Sequence, residues 1–267
     1  MSSTATGART RESLRGSLKD VDAWWTVLVI DPLALRVLPW LLRRRRVTPN
    51  ALSLLAGFVG VGSGAAFLWG APIVGGLLFE LRFFIDCLDG KVARLRGTGS
   101  RFGGFLDQSL DLVVMSWVYS ALGLWLASRG ALPVRLALWP AVAALVWAWS
   151  GQYLGVTRRA LAVAAAGADA ESGGLRMRMR SRRLARLPSS VEATTVALFL
   201  CPLTGSRSIM AGALWVVTVG FYVPATAHNF YATAKMLRRA DRAAAVPAHA
   251  APPVDPSRQP SPSASPL

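Results

Sequence analysis

The stretch RFFIDCLDGKVARLRGTGSRFGGFLDQSLDL, residues 82–112, decides the reading of this chain. It holds four acids, Asp86, Asp89, Asp107 and Asp111, in a protein with only 14 acidic residues among 267. Asp86 and Asp89 stand three apart and share one face of a helix, which Gly90 and Ala93 continue. Gly103, Asp107 and Asp111 recur every four residues and line one face of a second helix. Folding the two helices together across the polar turn Arg96–Arg101 lets the four carboxylates converge. Carboxylates that close repel one another unless a cation stands between them. A pair of divalent ions, hard and oxygen-seeking, is the natural filler.

Outward from this stretch the chain is apolar. Hydrophobic residues make up 53% and charged residues 16%, with mean hydropathy +0.39 and ten tryptophans. The net charge of +16 does not point to nucleic acid, because the basic residues gather at the ends of long uncharged runs and no basic, aromatic-studded soluble fold is visible. That distribution is how a polytopic membrane protein meets an anionic leaflet. Cys87 and Cys201 both lie in apolar context and form neither a disulfide framework nor a CxxC metal site.

Residues 51–79 carry no charge, and a bilayer takes about 20 helical residues at roughly 1.5 Å each, so the run is too long for one span and too short for two. Gly70-Ala71-Pro72 divides it. Six spans result: 51–69, from Ile73 into the acidic motif, from Gly104 to Ala127, 136–157, 188–203 and 208–234. The fold class is therefore all-α, a polytopic membrane protein with six transmembrane helices. Before them, residues 21–47 mix Trp24, Trp25, Leu28, Leu38 and Trp40 with Asp22, Asp31, Arg36, Pro32 and Pro39. That segment is too charged and broken to span, and lacks the form of a secretory signal; it predicts an amphipathic helix lying on the membrane, with Arg43–Arg46 on lipid phosphates. A soluble helix packed on its own protein is the other reading. The domain plan is a disordered tail over 1–20, the interfacial helix over 21–47, a six-helix domain over 48–235 and a second disordered tail over 236–267. The Arg43 block, Lys91–Arg101, the loop 158–187 and the segment after Lys235 fall on one side, against Arg129, Arg135 and Arg207 on the other. The positive-inside rule makes the first side, both termini and the acidic motif cytoplasmic.

Acids at membrane depth are costly and mark function. Were Asp86 and Asp89 mere anchors paired with Arg82, Lys91 or Arg94, Asp107 and Asp111 would be left without a reason. A cation pair beside a lipid-accessible groove suits phosphoryl chemistry on a lipid-linked substrate.

The order Asp86-x2-Asp89-Gly90-x2-Ala93-Arg94-x8-Gly103-x3-Asp107-x3-Asp111 resembles the signature of the CDP-alcohol phosphotransferase family. The resemblance implies a six-span enzyme of phospholipid synthesis that passes a phosphatidyl-type group from a CDP-alcohol, usually CDP-diacylglycerol, to an acceptor alcohol and releases CMP. It implies that Asp86, Asp89, Asp107 and Asp111 hold two Mg²⁺ or Mn²⁺ ions, and that Asp111 is also the general base. Gly90 and Ala93 match the small positions where the nucleotide lies close, Arg94 would meet the diphosphate, and Gly103 would let the acidic helices approach. Ser100 matches a hydroxyl near the nucleotide, and Pro49-Asn50 the start of span one beside the CDP group; an ordinary loop serine and helix start are equal alternatives. Arg158 and Arg159 would grip an acceptor's phosphate, or are simply a positive-inside pair. Ser189-Ser190-Val191-Glu192 departs from the Gly-Glu-Arg-like turn of relatives, which argues against a sugar-phosphate acceptor. His228 and Asn229 line the cavity or bond at the interface. The implied partners are a CDP-linked lipid, an alcohol, membrane lipids and a second copy of the chain. The competing function is a non-catalytic scaffold or a cation-binding transporter on the same fold.

Overall fold

Proline and glycine punctuate the chain into helices where the sequence places them. The structure, a computed structural model, describes residues 14–44, 46–165 and 189–244. A π-helical turn, Thr26–Ile30, leads into α1 (Asp31–Arg43). There follow α2 (Pro49–Leu68), α3 (Pro72–Arg96), α4 (Arg101–Ser128) and α5 (Trp139–Ala165). The short α6 (Ser190–Leu203) precedes α7, which starts at Arg207 and continues through a π-helical stretch, Thr218–Tyr222, to Ala244. Thr48 caps α2 by accepting from the Ala51 amide at 3.2 Å, with Pro49 in the first turn. Gly70, at φ +81°, turns the chain before Pro72 opens α3.

Among the described residues, four segments are long and apolar enough to cross a bilayer: Pro49–Leu68, Arg101–Ser128, Val134–Arg158 and Arg207–Arg242. Helix α3 falls short because Glu80, Arg82, Asp86, Asp89 and Lys91 interrupt it, and α6 is too short. Large apolar side chains such as Phe58, Trp69, Phe105, Trp149 and Val216 face outward from these helices. An all-helical bundle with an apolar exterior is a membrane protein.

Helix α2 sits against both α3 and α4, and glycine makes the second contact possible. A Cβ on Gly60 would lie 2.3 Å from Val114 Cγ1, and one on Gly64 would lie 2.1 Å from the Trp117 indole nitrogen, which donates to the Val61 carbonyl at 3.0 Å. Gly60→Leu must push α4 away; it is expected to cost about 1–3 kcal/mol, seen as a lower unfolding temperature in detergent. An unchanged temperature would show that α4 yields at no cost. Behind this contact the main core joins Phe67, Val118, Leu122, Leu198, Met210 and Leu214 across the bundle.

Helix α1 packs Ala34, Leu38 and Leu41 on Leu52, Ile85 and Val92. Asp31 forms a buried ion pair with Lys91 of α3 at 3.0 Å, so Lys91 is turned away from the acidic motif. Arg96 donates to the carbonyls of Leu41 (3.0 Å), Arg44 (3.1 Å) and Val47, closing the C-terminal end of α1 on the end of α3. Trp40 stays exposed with Arg44 stacked 5.5 Å over its ring.

Two boundaries differ from the sequence reading. Leu14 is buried in the α1–α3 core and Ser17 is buried with its carbonyl accepting from Arg94, so these two residues pack on the protein within the stretch where a disordered tail is expected. Helix α7 continues to Ala244, past the expected tail start at 236, because Lys235–Ala244 is rich in helix formers. The rest of both expected tails, and most of the basic loop 158–187, lie outside the described residues.

Candidate active site

The turn between α3 and α4 brings the acids together. Gly97, at φ +63°, ends α3 in a left-handed conformation, and the Thr98 amide bonds back to the Ala93 carbonyl at 3.0 Å. Ser100 then caps α4 by accepting from the Gly103 amide at 2.9 Å. The returning helix sets Asp107 against α3, where oxygens of Asp86, Asp89 and Asp107 all lie within 4.8 Å of one another. Ser53 of α2 donates to Asp89 Oδ2. Asp107 Oδ1 is buried without a hydrogen-bond partner among the described residues.

Asp111, one turn further, stands outside this trio. The Arg82 guanidinium pairs with it and also lies 3.7 Å from Asp86. The Arg82 side chain is 5% exposed and that of Asp111 45%. The sequence spacing shows Arg82 four residues before Asp86, but its contact with Asp111 depends on the fold. The donor set fits a hard divalent cation: each ligand is a carboxylate oxygen, and one buried oxygen lacks any other partner.

The acids divide two chambers. A cleft of about 450 Å³ is lined by Asp89 and Asp107 together with Pro49, Asn50, Gly90, Ala93, Arg94, Ser100 and Gly103. All seven donor-side residues expected from the sequence therefore share one wall. Ser53 and Thr98 join them; Ser53, one turn beyond Asn50, was legible by helical spacing. A Cβ on Gly103 would come within 3.1 Å of Asn50 Oδ1 and Ser100 Oγ, so this glycine lets α4 approach α2, not α3. Arg94 also donates from Nε to the Ser17 carbonyl at 2.6 Å.

A second cavity, about 340 Å³, opens on the other side, lined by Asp86, Asp111 and Arg82. Gln108, Ser116, Gln152, Ser190 and Thr194 add polar groups, and Phe79, Trp147 and Tyr222 add aromatic wall. Sequence reading missed the two glutamines: Gln108 lies inside the acidic motif, one turn before Asp111, and was legible by helical spacing, whereas Gln152 stands alone in an uncharged span. Arg158 does not line this cavity: it donates to Asn229 Oδ1 at 3.0 Å and to the Leu154 carbonyl at 3.3 Å. The Arg159 side chain lies outside the described residues. Glu192 forms a capping box with Ser189 and accepts from the Trp25 amide at 3.1 Å, so the turn before α6 is a helix start fastened to the segment before α1.

A carboxylate cluster between two chambers of a helical membrane protein is an arrangement suited to metal-assisted group transfer. Residues 46–223 match the family described as CDP-alcohol phosphatidyltransferase, and the chain belongs to it. It is a membrane enzyme of phospholipid synthesis that moves a substituted phosphate group from a CDP-alcohol to an acceptor alcohol. A phosphatidylinositol phosphate synthase of Streptomyces avermitilis is 33% identical over 190 residues, 67% of this chain and 70% of that protein. One of Cutibacterium acnes is 31% identical over 145 residues, 51% of this chain and 63% of that protein. The fold resembles the Mycobacterium tuberculosis phosphatidylinositol phosphate synthase with CDP-DAG bound, at TM-score 0.53 and 20% identity, covering 77% of this chain and 93% of that one. The same enzyme in complex with manganese and citrate gives TM-score 0.54 and 20% identity, covering 77% and 88%.

Proposed function

We propose that the cleft takes the CDP end of a CDP-linked lipid, that the cavity takes the acceptor alcohol, and that the transferred phosphorus passes between the four acids. One observation carries this: Asp89 and Asp107 line the cleft while Asp86 and Asp111 line the cavity. The donor we assign is CDP-diacylglycerol, the ligand of the tuberculosis structure.

In this reading Asp86, Asp89, Asp107 and Asp111 hold two divalent ions, Mg²⁺ or Mn²⁺, which when bound supply the positive charge that neutralises a diphosphate. Asn50, Ser53 and the small residues Gly90, Ala93 and Gly103 receive the nucleotide. Arg94, permanently charged, faces the diphosphate beside them. Asp111 takes the proton from the acceptor hydroxyl as that oxygen attacks the phosphorus distal to the cytidine; the bond to CMP breaks and CMP leaves through the cleft. Because these side chains are fixed before charge shifts, they favour the transition state without reorganising. The six helices α2–α7 cross the membrane, α1 lies on its cytoplasmic face, and both termini and the acids are cytoplasmic. A homodimer completes the assignment.

Purified protein in detergent with Mg²⁺ is expected to release CMP from CDP-diacylglycerol with one member of an acceptor panel. Inositol phosphate heads the panel, on the names of the relatives; uncharged inositol follows, because Ser189-Ser190 replaces the arginine-bearing turn and Arg158 is engaged by Asn229. No CMP from any acceptor, together with no binding of the CDP-lipid, would sink the assignment.

A further inference from the structure

Arg82 is the one described cation that reaches the acids from the cavity side. It stands in the apolar half of α3, one turn before Asp86, and its side chain is 5% exposed. Its guanidinium touches Asp111 and lies 3.7 Å from Asp86, while Asp86, Asp89 and Asp107 form the ion-sized trio without Asp111. The Arg82 Nε is buried with no hydrogen-bond partner among the described residues, so the guanidinium is not held through that nitrogen.

We propose that Arg82 is a resident cation at the second metal position. The resting protein then holds one divalent ion on Asp86, Asp89 and Asp107, and takes the second, between Asp86 and Asp111, only with the donor's diphosphate. The inference rests on the reading above, that the acids bind divalent ions beside a CDP-linked donor. Charge decides the order. Arg82 and one divalent ion leave the four carboxylates one negative charge in excess. A second divalent ion reverses that sign in a partly buried site, which is costly until a diphosphate arrives to offset it. A guanidinium cannot lose its charge to escape the conflict, so it must withdraw from Asp111. Without Arg82 the four carboxylates and two divalent ions balance, and the second ion needs no donor.

The test is Mn²⁺ binding to the full chain in detergent, followed by electron paramagnetic resonance, with CDP as the diphosphate probe. Wild-type protein is expected to bind one Mn²⁺ with an uncoupled spectrum, and to gain a second, magnetically coupled ion on adding CDP. Arg82→Gln is expected to bind two without CDP, its second site tightened about 5–150-fold, the range of a coupling free energy between two sites. Two coupled ions in wild-type protein without CDP would overturn the proposal and leave the donor reading intact, as would a single ion that stays single with CDP. These two arms need no variant to fold. Absence of Mn²⁺ binding in every protein would instead overturn the metal reading beneath it.

Discussion

Asp111→Asn is expected to lower CMP release by about 10²–10⁴-fold, the range of a lost general base, while CDP-lipid binding falls far less. Asp111 lies outside the trio whose oxygens converge within 4.8 Å, and it faces the cavity, where an acceptor hydroxyl would stand. Asparagine keeps the shape and one oxygen but has no basic oxygen to take a proton. The check is a pair of measurements on one preparation, CDP-lipid affinity and turnover. Equal losses in both would make Asp111 chiefly a metal ligand and assign proton removal elsewhere.

Asp107→Ala is expected to remove divalent-ion binding and to lower turnover on the order of 10³-fold, as does loss of a preorganised electrostatic group. Asp107 supplies the only oxygens that α4 contributes to the trio, across from Asp86 and Asp89 on α3. Its buried Oδ1 has no other partner among the described residues, so the wild-type protein stores repulsion there in the absence of metal. The variant is therefore expected to unfold in chelator at a temperature no lower than wild type. Activity lost together with several degrees of stability would mark Asp107 as a structural residue.

Much of this site was legible in the chain because it is local. Asp86, Asp89, Asp107 and Asp111 all fall within 26 positions, and helical spacing with a glycine-rich turn is enough to bring them together. Gly70-Ala71-Pro72 likewise fixed the division between α2 and α3. What was hidden depends on helices remote in sequence. Lys91 looks like a partner for the neighbouring acids, yet the packing of α1 gives it Asp31. Arg158 at the end of a span reads as a phosphate grip, yet α7 brings Asn229 to it. Glu192 reads as part of a turn near the acceptor, yet it caps α6 and holds Trp25. Leu14 reads as part of a polar tail, because one leucine has no periodicity to announce it. Polar residues on apolar helices carry no local pattern, and only the bundle decides which of them meet.

The separation of the two chambers also bears on stereochemistry. If nucleotide and acceptor occupy the cleft and the cavity, with the acids between, the attacking and leaving oxygens stand on opposite faces of the phosphorus. A single displacement of that geometry turns the phosphorus inside out, so a donor chiral at phosphorus through sulfur and oxygen isotope labels would emerge inverted. Retention would require two displacements, and with them a covalent phosphatidyl group parked on a side chain before the acceptor arrives.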